Sequence, residues 1–145
     1  MKIQVKVPAT TANLGPGFDA LGLALDLWNE AIFETNPRGD KSIHVTIEGE
    51  GADKLPHNAD NAIVDAALRI YERAGKPCEG FRLRCVNRVP LGSGLGSSSA
   101  ALLTGMLGAN AALGNPFNEE QILKFAIETE GHPDKVSDQI SDSIL

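Results

Sequence analysis

The chain has 145 residues, of which 42% are hydrophobic, 22% charged and 5% aromatic; this is the make-up of one globular domain able to bury a core. A formal net charge of −6 argues against a nucleic-acid or anionic-membrane surface. It does not exclude a phosphate pocket, whose field is local and largely made by backbone N–H groups.

No apolar run approaches the length of a membrane span. Met1-Lys-Ile-Gln-Val-Lys-Val7 alternates like a strand instead of opening a signal peptide. A cytoplasmic protein is expected. Lys2 to Val7 is predicted as the first strand, ended by Pro8. Residues 8–22 are rich in turn formers (Gly15, Pro16, Gly17, Gly22) and small polar groups, with a single carboxylate, Asp19. Leu23 to Thr35 reads as a second strand and Ser42 to Gly49 as a third, joined by a hairpin turn over Asn36-Pro-Arg-Gly-Asp40. Gly49 to Asp60 is polar and is expected to be a mobile loop.

Asp60 is a suitable cap for a helix carrying Ile63, Val64, Ala67, Leu68 and Tyr71 on one side, and Gly75 is its stop. Phe81 to Val86 is predicted as a strand. Cys78 and Cys85, on or beside it, match no metal spacing and are expected to be buried or half-buried thiols. A glycine-rich stretch then feeds a long apolar helix from Ser97 to Leu113, broken by Gly114-Asn-Pro. Asn118 should cap the next helix, with Ile122, Phe125, Ala126 and Thr129 inward and Gly131 at its end. The last stretch, Pro133 to Leu145, spaces Val136, Ile140 and Ile144 by four. The layout is α+β: a mainly antiparallel sheet with helices on one face.

The glycine-rich stretch carries the chemistry. Pro90-Leu-Gly-Ser-Gly-Leu-Gly-Ser-Ser-Ser99 places glycines at 92, 94 and 96 and hydroxyls at 97, 98 and 99. Such a loop entering a helix gathers unpaired N–H groups at the positive end of the helix dipole, which suits a phosphate. It is not a Walker loop, since no Lys-Ser/Thr follows the last glycine, and its spacing is not that of a dinucleotide fingerprint. A flexible loop before a serine-capped helix would carry part of the same signature. The whole run resembles the phosphate-binding motif P-x-G-x-G-L-G-S-S-A/S-A of the GHMP kinases.

Pro8-Ala-Thr-Thr-Ala-Asn-Leu-Gly-Pro-Gly-Phe-Asp19 narrows the resemblance, because it is similar to the first motif of homoserine kinases. Glu130-Gly-His-Pro-Asp134 is similar to a third homoserine kinase segment. The resemblance implies a ribosomal-S5-like amino-terminal domain, ATP with Mg²⁺ as cofactor, and L-homoserine as substrate in threonine biosynthesis. It also implies a second, carboxy-terminal domain, expected to be absent from this chain; the half-length chain is therefore expected to be inactive or only to bind nucleotide, with a catalytically silent scaffold as the alternative. From Glu130 to Leu145 the sequence is instead similar to the amino-terminal GHPDK motif of S-adenosylmethionine synthetases, and a chimeric origin of this terminal helix is expected. Methionine adenosylation itself is set aside, since the rest of that active site has no counterpart.

By resemblance, Pro90, Leu91, Gly92, Ser93, Gly94, Leu95, Gly96, Ser97, Ser98 and Ser99 hold the triphosphate. Ser98 is the expected Mg²⁺ ligand, with Glu128 as the first choice of partner carboxylate and Glu130 the second. Either glutamate could equally be a solvated helix end, and Ser98 only a cap. Asn61, with Ile63 and Val64, is expected to flank the adenine. Asn13, Asp19 and His132 are expected to contact the amino-acid substrate, Asp19 having an Asx turn as its alternative. His44 and His57 read as surface residues, Trp28 and Phe33 as core. A homo-oligomer is expected, formed through the apolar surface that the second domain would cover.

Overall fold

A computed structural model describes residues 2–11, 23–35, 41–58, 60–89 and 97–130. Four strands, β1 (Lys2–Thr11), β2 (Leu23–Thr35), β3 (Ile43–Gly49) and β4 (Phe81–Asn87), form one sheet in the order β1-β2-β4-β3. The pairs β1–β2 and β2–β4 are antiparallel, and β3–β4 is parallel. Helix α1 (Ala62–Ala74) makes the crossover from β3 to β4, and α2 (Ser97–Ala112) and α3 (Glu119–Glu130) follow. The α+β class is as expected.

Period-two alternation builds the inner layer of the sheet. Val5 lies opposite Ala31, Phe33 opposite Leu83, and Leu83 and Cys85 beside Val45 and Ile47; all of these are buried. The outer face alternates in charge, with Lys6 directly opposite Glu30 at 3.1 Å and Arg84 bound to Glu48 at 3.0 Å. Helix α2 contains no charged residue and is buried along nearly its whole length, the pattern of a helix enclosed on every side. Its close neighbours require glycine. A Cβ at Gly105 would run into the Ile63 carbonyl and the Ala66 methyl of α1, and one at Gly108 into the Phe33 ring of the sheet.

Several expectations need correcting. β1 continues through Pro8 to Thr11, because it is an edge strand, where a proline need not donate to a ladder; the register shifts between Pro8 and Thr10. β2 and β3 are not a hairpin. β4 inserts between them and fills the inner layer with Leu83 and Cys85. Residues 50–55 form an ordered turn, with Glu50 N–H donating to the Asn87 carbonyl at 2.9 Å and Leu55 N–H to the Gly51 carbonyl at 2.8 Å. The cap of α1 is Asn61 and not Asp60: the Asn61 side chain accepts from the Ile63 N–H at 2.8 Å, while Asp60 is exposed. Gly75 ends that helix at φ 68°, as the sequence implied.

On α3, Ile122 and Ala126 are fully buried, Phe125 is half-buried and Thr129 is exposed. The outward turn of Thr129 places its hydroxyl on the Phe125 carbonyl at 2.9 Å. Asn118 caps α3 reciprocally with Gln121: Gln121 N–H donates to Asn118 Oδ1 at 2.8 Å, and Asn118 N–H to Gln121 Oε1 at 3.0 Å. Phe33 is in the core, Trp28 is half-buried, and His44 and His57 are exposed. Cys85 is buried and Cys78 half-buried, both as free thiols. Among the described residues no helix is long and apolar enough to cross a membrane.

Candidate functional site

A cavity of about 270 Å³ opens where the start of α1, the end of β4, the middle of β2 and the first half of α2 meet. That is close to the lower bound, about 300 Å³, of small-molecule sites. Its wall is mostly apolar, from Ala31, Leu55, Ile63, Val89 and Ala101, with a few polar groups among them. Asn61 is one of these. It is only 3% exposed, and both ends of its amide are engaged, Oδ1 by the Ile63 N–H and Nδ2 by the Pro56 carbonyl at 3.0 Å. The structure therefore gives it a capping role at the cavity wall. Thr104 donates its hydroxyl back to the Ala100 carbonyl at 2.6 Å, a common arrangement for a hydroxyl inside a helix. Asn87 closes the far side by donating to the Glu50 carbonyl at 3.2 Å.

Two titratable groups border the cavity. Burial pushes the Cys85 thiol up to about 12, so it is neutral at physiological pH. Glu30 is held below the ordinary carboxylate range, first by its hydrogen bond from Arg88 and then by that from Lys6. Its carboxylate is bound at 2.9 Å to Arg88 and 3.1 Å to Lys6.

The expected phosphate loop, Pro90, Leu91, Gly92, Ser93, Gly94, Leu95 and Gly96, lies outside the described residues, as do Asn13, Asp19 and His132. The elements on either side of the loop both reach the cavity. Val89, fully buried, lines it just beyond β4, and α2, which begins at Ser97, lines it at Ala101 and Thr104. Ser97, Ser98 and Ser99 form the first turn of α2, where Ser99 is 1% exposed and no acidic residue is present. Glu128 sits elsewhere in character: it is exposed and ion-paired to Arg73 of α1 at 2.9 Å. Arg73 also stacks on the Phe125 ring, 4.1 Å from its centroid. Glu130 is the last residue of α3. Among the described residues no group of three or more His, Cys, Asp or Glu side chains is placed to hold a metal ion. Sequence reasoning missed Asn29, Asn87 and Thr104; the one available signal was an asparagine inside a strand, a residue that strands disfavour.

Residues 61–143 match the family pattern of the GHMP kinases N terminal domain. The chain belongs to the GHMP kinases. This GHMP kinase domain is 45% identical over 133 residues to a homoserine kinase of Carboxydothermus hydrogenoformans, covering 92% of this chain and 43% of that protein. It is 42% identical over 136 residues to a homoserine kinase of Moorella thermoacetica, covering 94% of this chain and 45% of that protein. The chain thus spans less than half the length of these curated relatives. Among solved structures, the homoserine kinase from Cytophaga hutchinsonii superimposes with a TM-score of 0.81 at 33% identity, over 96% of this chain and 46% of that one. The mevalonate kinase of Methanococcus jannaschii gives a TM-score of 0.75 at 14% identity, over 99% of this chain and 53% of that one, and shows the shared fold alone. That fold is the ribosomal protein S5 domain 2-like fold of the GHMP kinases.

Proposed function

We propose that the chain is the nucleotide-binding domain of a homoserine kinase, moving the γ-phosphoryl group of ATP to the hydroxyl of L-homoserine on the way to threonine. One observation supports this above the others. The glycine motif joins Val89, on the cavity wall, to Ser97, at the amino terminus of a long buried helix. The base would enter the apolar cavity beside Asn61 and Ile63, and the phosphates would meet the loop N–H groups and the helix dipole. The first turn of α2 carries no acidic side chain to oppose them.

By resemblance, Mg²⁺ would be held by Ser98 and one carboxylate from the end of α3, and it would supply charge neutralisation on the transferring phosphoryl group. Glu128 is already committed to Arg73. That leaves Glu130, the last residue of α3, as the carboxylate of choice, reversing the order that the sequence alone suggested. Asn13, Asp19 and His132 are carried over by resemblance as contacts to the amino acid. A cytoplasmic location and self-association belong to the same proposal. So does shared ancestry of residues 130–145 with S-adenosylmethionine synthetases. For that origin, kinase relatives align over 133–136 residues, although the family pattern continues to residue 143; kinase similarity running unbroken through the parent gene at this point would sink it.

The test is ADP formation from Mg·ATP, with and without L-homoserine, for the wild type and Ser98→Ala. Homoserine-dependent turnover that the variant loses is the expected result. Stabilisation by nucleotide without turnover would restrict this chain to binding. Neither stabilisation nor turnover would refute the proposal.

A further inference from the structure

The backbone ladder between β2 and β4 has its last pair at Glu30 and Val86, yet the chain remains tied down for some residues beyond it. The Arg88 N–H donates to Asn29 Oδ1 at 2.8 Å, and the Val89 N–H donates to the same oxygen at 2.9 Å. A side-chain carbonyl here replaces a strand partner, and one atom fixes two consecutive peptide units. Arg88 adds a second tie, donating from Nη1 to Glu30 Oε2 at 2.9 Å and to the Trp28 carbonyl at 3.4 Å. Trp28 to Glu30 therefore grips the chain where it leaves the sheet. Asn29 and Val89 both line the cavity, so this grip also shapes its wall.

We propose that Asn29 is a positioning residue for the nucleotide: by holding Arg88 and Val89 it sets the direction in which the chain departs from β4 toward α2. The inference rests on the nucleotide-binding reading above. Backbone fixed before a ligand arrives need not be ordered when it binds, so the tie raises affinity for the part of the ligand that the departing chain contacts. That part is the phosphate tail. The base, which meets α1 and α2 across the cavity, depends on it less.

Asn29→Leu removes the acceptor at similar volume, and Asn29→Asp keeps an oxygen in place. Amide hydrogen exchange by NMR reads the tie directly, and titration calorimetry with Mg·ATP and with adenosine reads its consequence. In Asn29→Leu, exchange should accelerate at Arg88 and Val89 but not along Phe81–Asn87. Its Mg·ATP affinity should fall about tenfold or more, as two lost hydrogen bonds imply, with adenosine affected less than about twofold. Asn29→Asp should retain protection at both amides. Should Asn29→Leu fail to fold, Asn29→Ala makes the same comparison. An unchanged Mg·ATP affinity, a parallel loss for ATP and adenosine, or faster exchange throughout β4 would overturn the assignment. A wild type that binds no nucleotide would overturn it together with the functional reading, and measuring the wild type first separates that failure from a failure of Asn29 alone.

Discussion

Glu30 sits between two cations, Lys6 across the β1–β2 pair and Arg88 at the end of β4. Its folded pKa is lowered from the ordinary value of 4.5, so its contribution to stability is present above that value and is lost as pH falls through the lower, folded one. The stability gap between the wild type and Glu30→Gln in urea melts should be open at neutral pH and close as pH falls below the ordinary carboxylate range. A gap independent of pH would contradict this. Cys85 behaves in the opposite sense. Burial keeps its thiol neutral up to about 12, and thiolate is the reactive form. A disulfide reagent at neutral pH should therefore modify half-buried Cys78 in the native protein and reach Cys85 only after unfolding; equal rates at the two thiols would refute the burial argument. Both thiols were legible from their place beside an alternating strand. Asn29 was not, because its role depends on β4 lying next to β2.

At the scale of elements, α2 decides the packing. Its run of small and apolar residues announces a helix buried on all sides, and the structure shows why two of its positions must be glycine. Gly105→Ala would gain about 1 kcal/mol of helix propensity. Against this, its methyl meets the Ile63 carbonyl and Ala66 on α1, and overpacking of this kind costs about 1–3 kcal/mol. A net loss of stability in urea melts is expected, and a gain would show that α1 and α2 can separate at no cost. The α2–α3 connection is held by Asn110, 5% exposed, which donates to the Phe117 carbonyl at 2.9 Å and accepts from the Phe117 N–H at 3.0 Å. Asn110→Leu leaves both backbone groups unpaired and should destabilise by about 2–3 kcal/mol, measured the same way. The sequence revealed each element but not the order of the strands. A turn-rich link between two strands reads as a hairpin, and only the pairing of β4 with both neighbours excludes it. Asp60 and Asn61 are equally good caps on composition; backbone geometry, not side-chain type, chose between them.

For the molecule as a whole, the glycine motif and the first motif point to the family by themselves, because they specify many positions in a fixed order. The cavity could not be read this way. Its walls come from β2, β4, α1 and α2, segments far apart in the chain, and the sequence alone indicated only Asn61 and its neighbours in α1. Nor could the sequence show the ion pair of Glu128 with Arg73, since it links residues on different helices. The central claim is that a nucleotide occupies this cavity with its phosphates toward the start of α2. Amide chemical-shift mapping during a titration with Mg·ATP tests it most directly. The account predicts that the largest shifts fall on Ile63, Val89 and Ala101 and on the loop between Val89 and Ser97, with little change at Arg82, Arg84 and His44 on the outer face of the sheet. Shifts concentrated on that outer face, or none at saturating Mg·ATP, would contradict it.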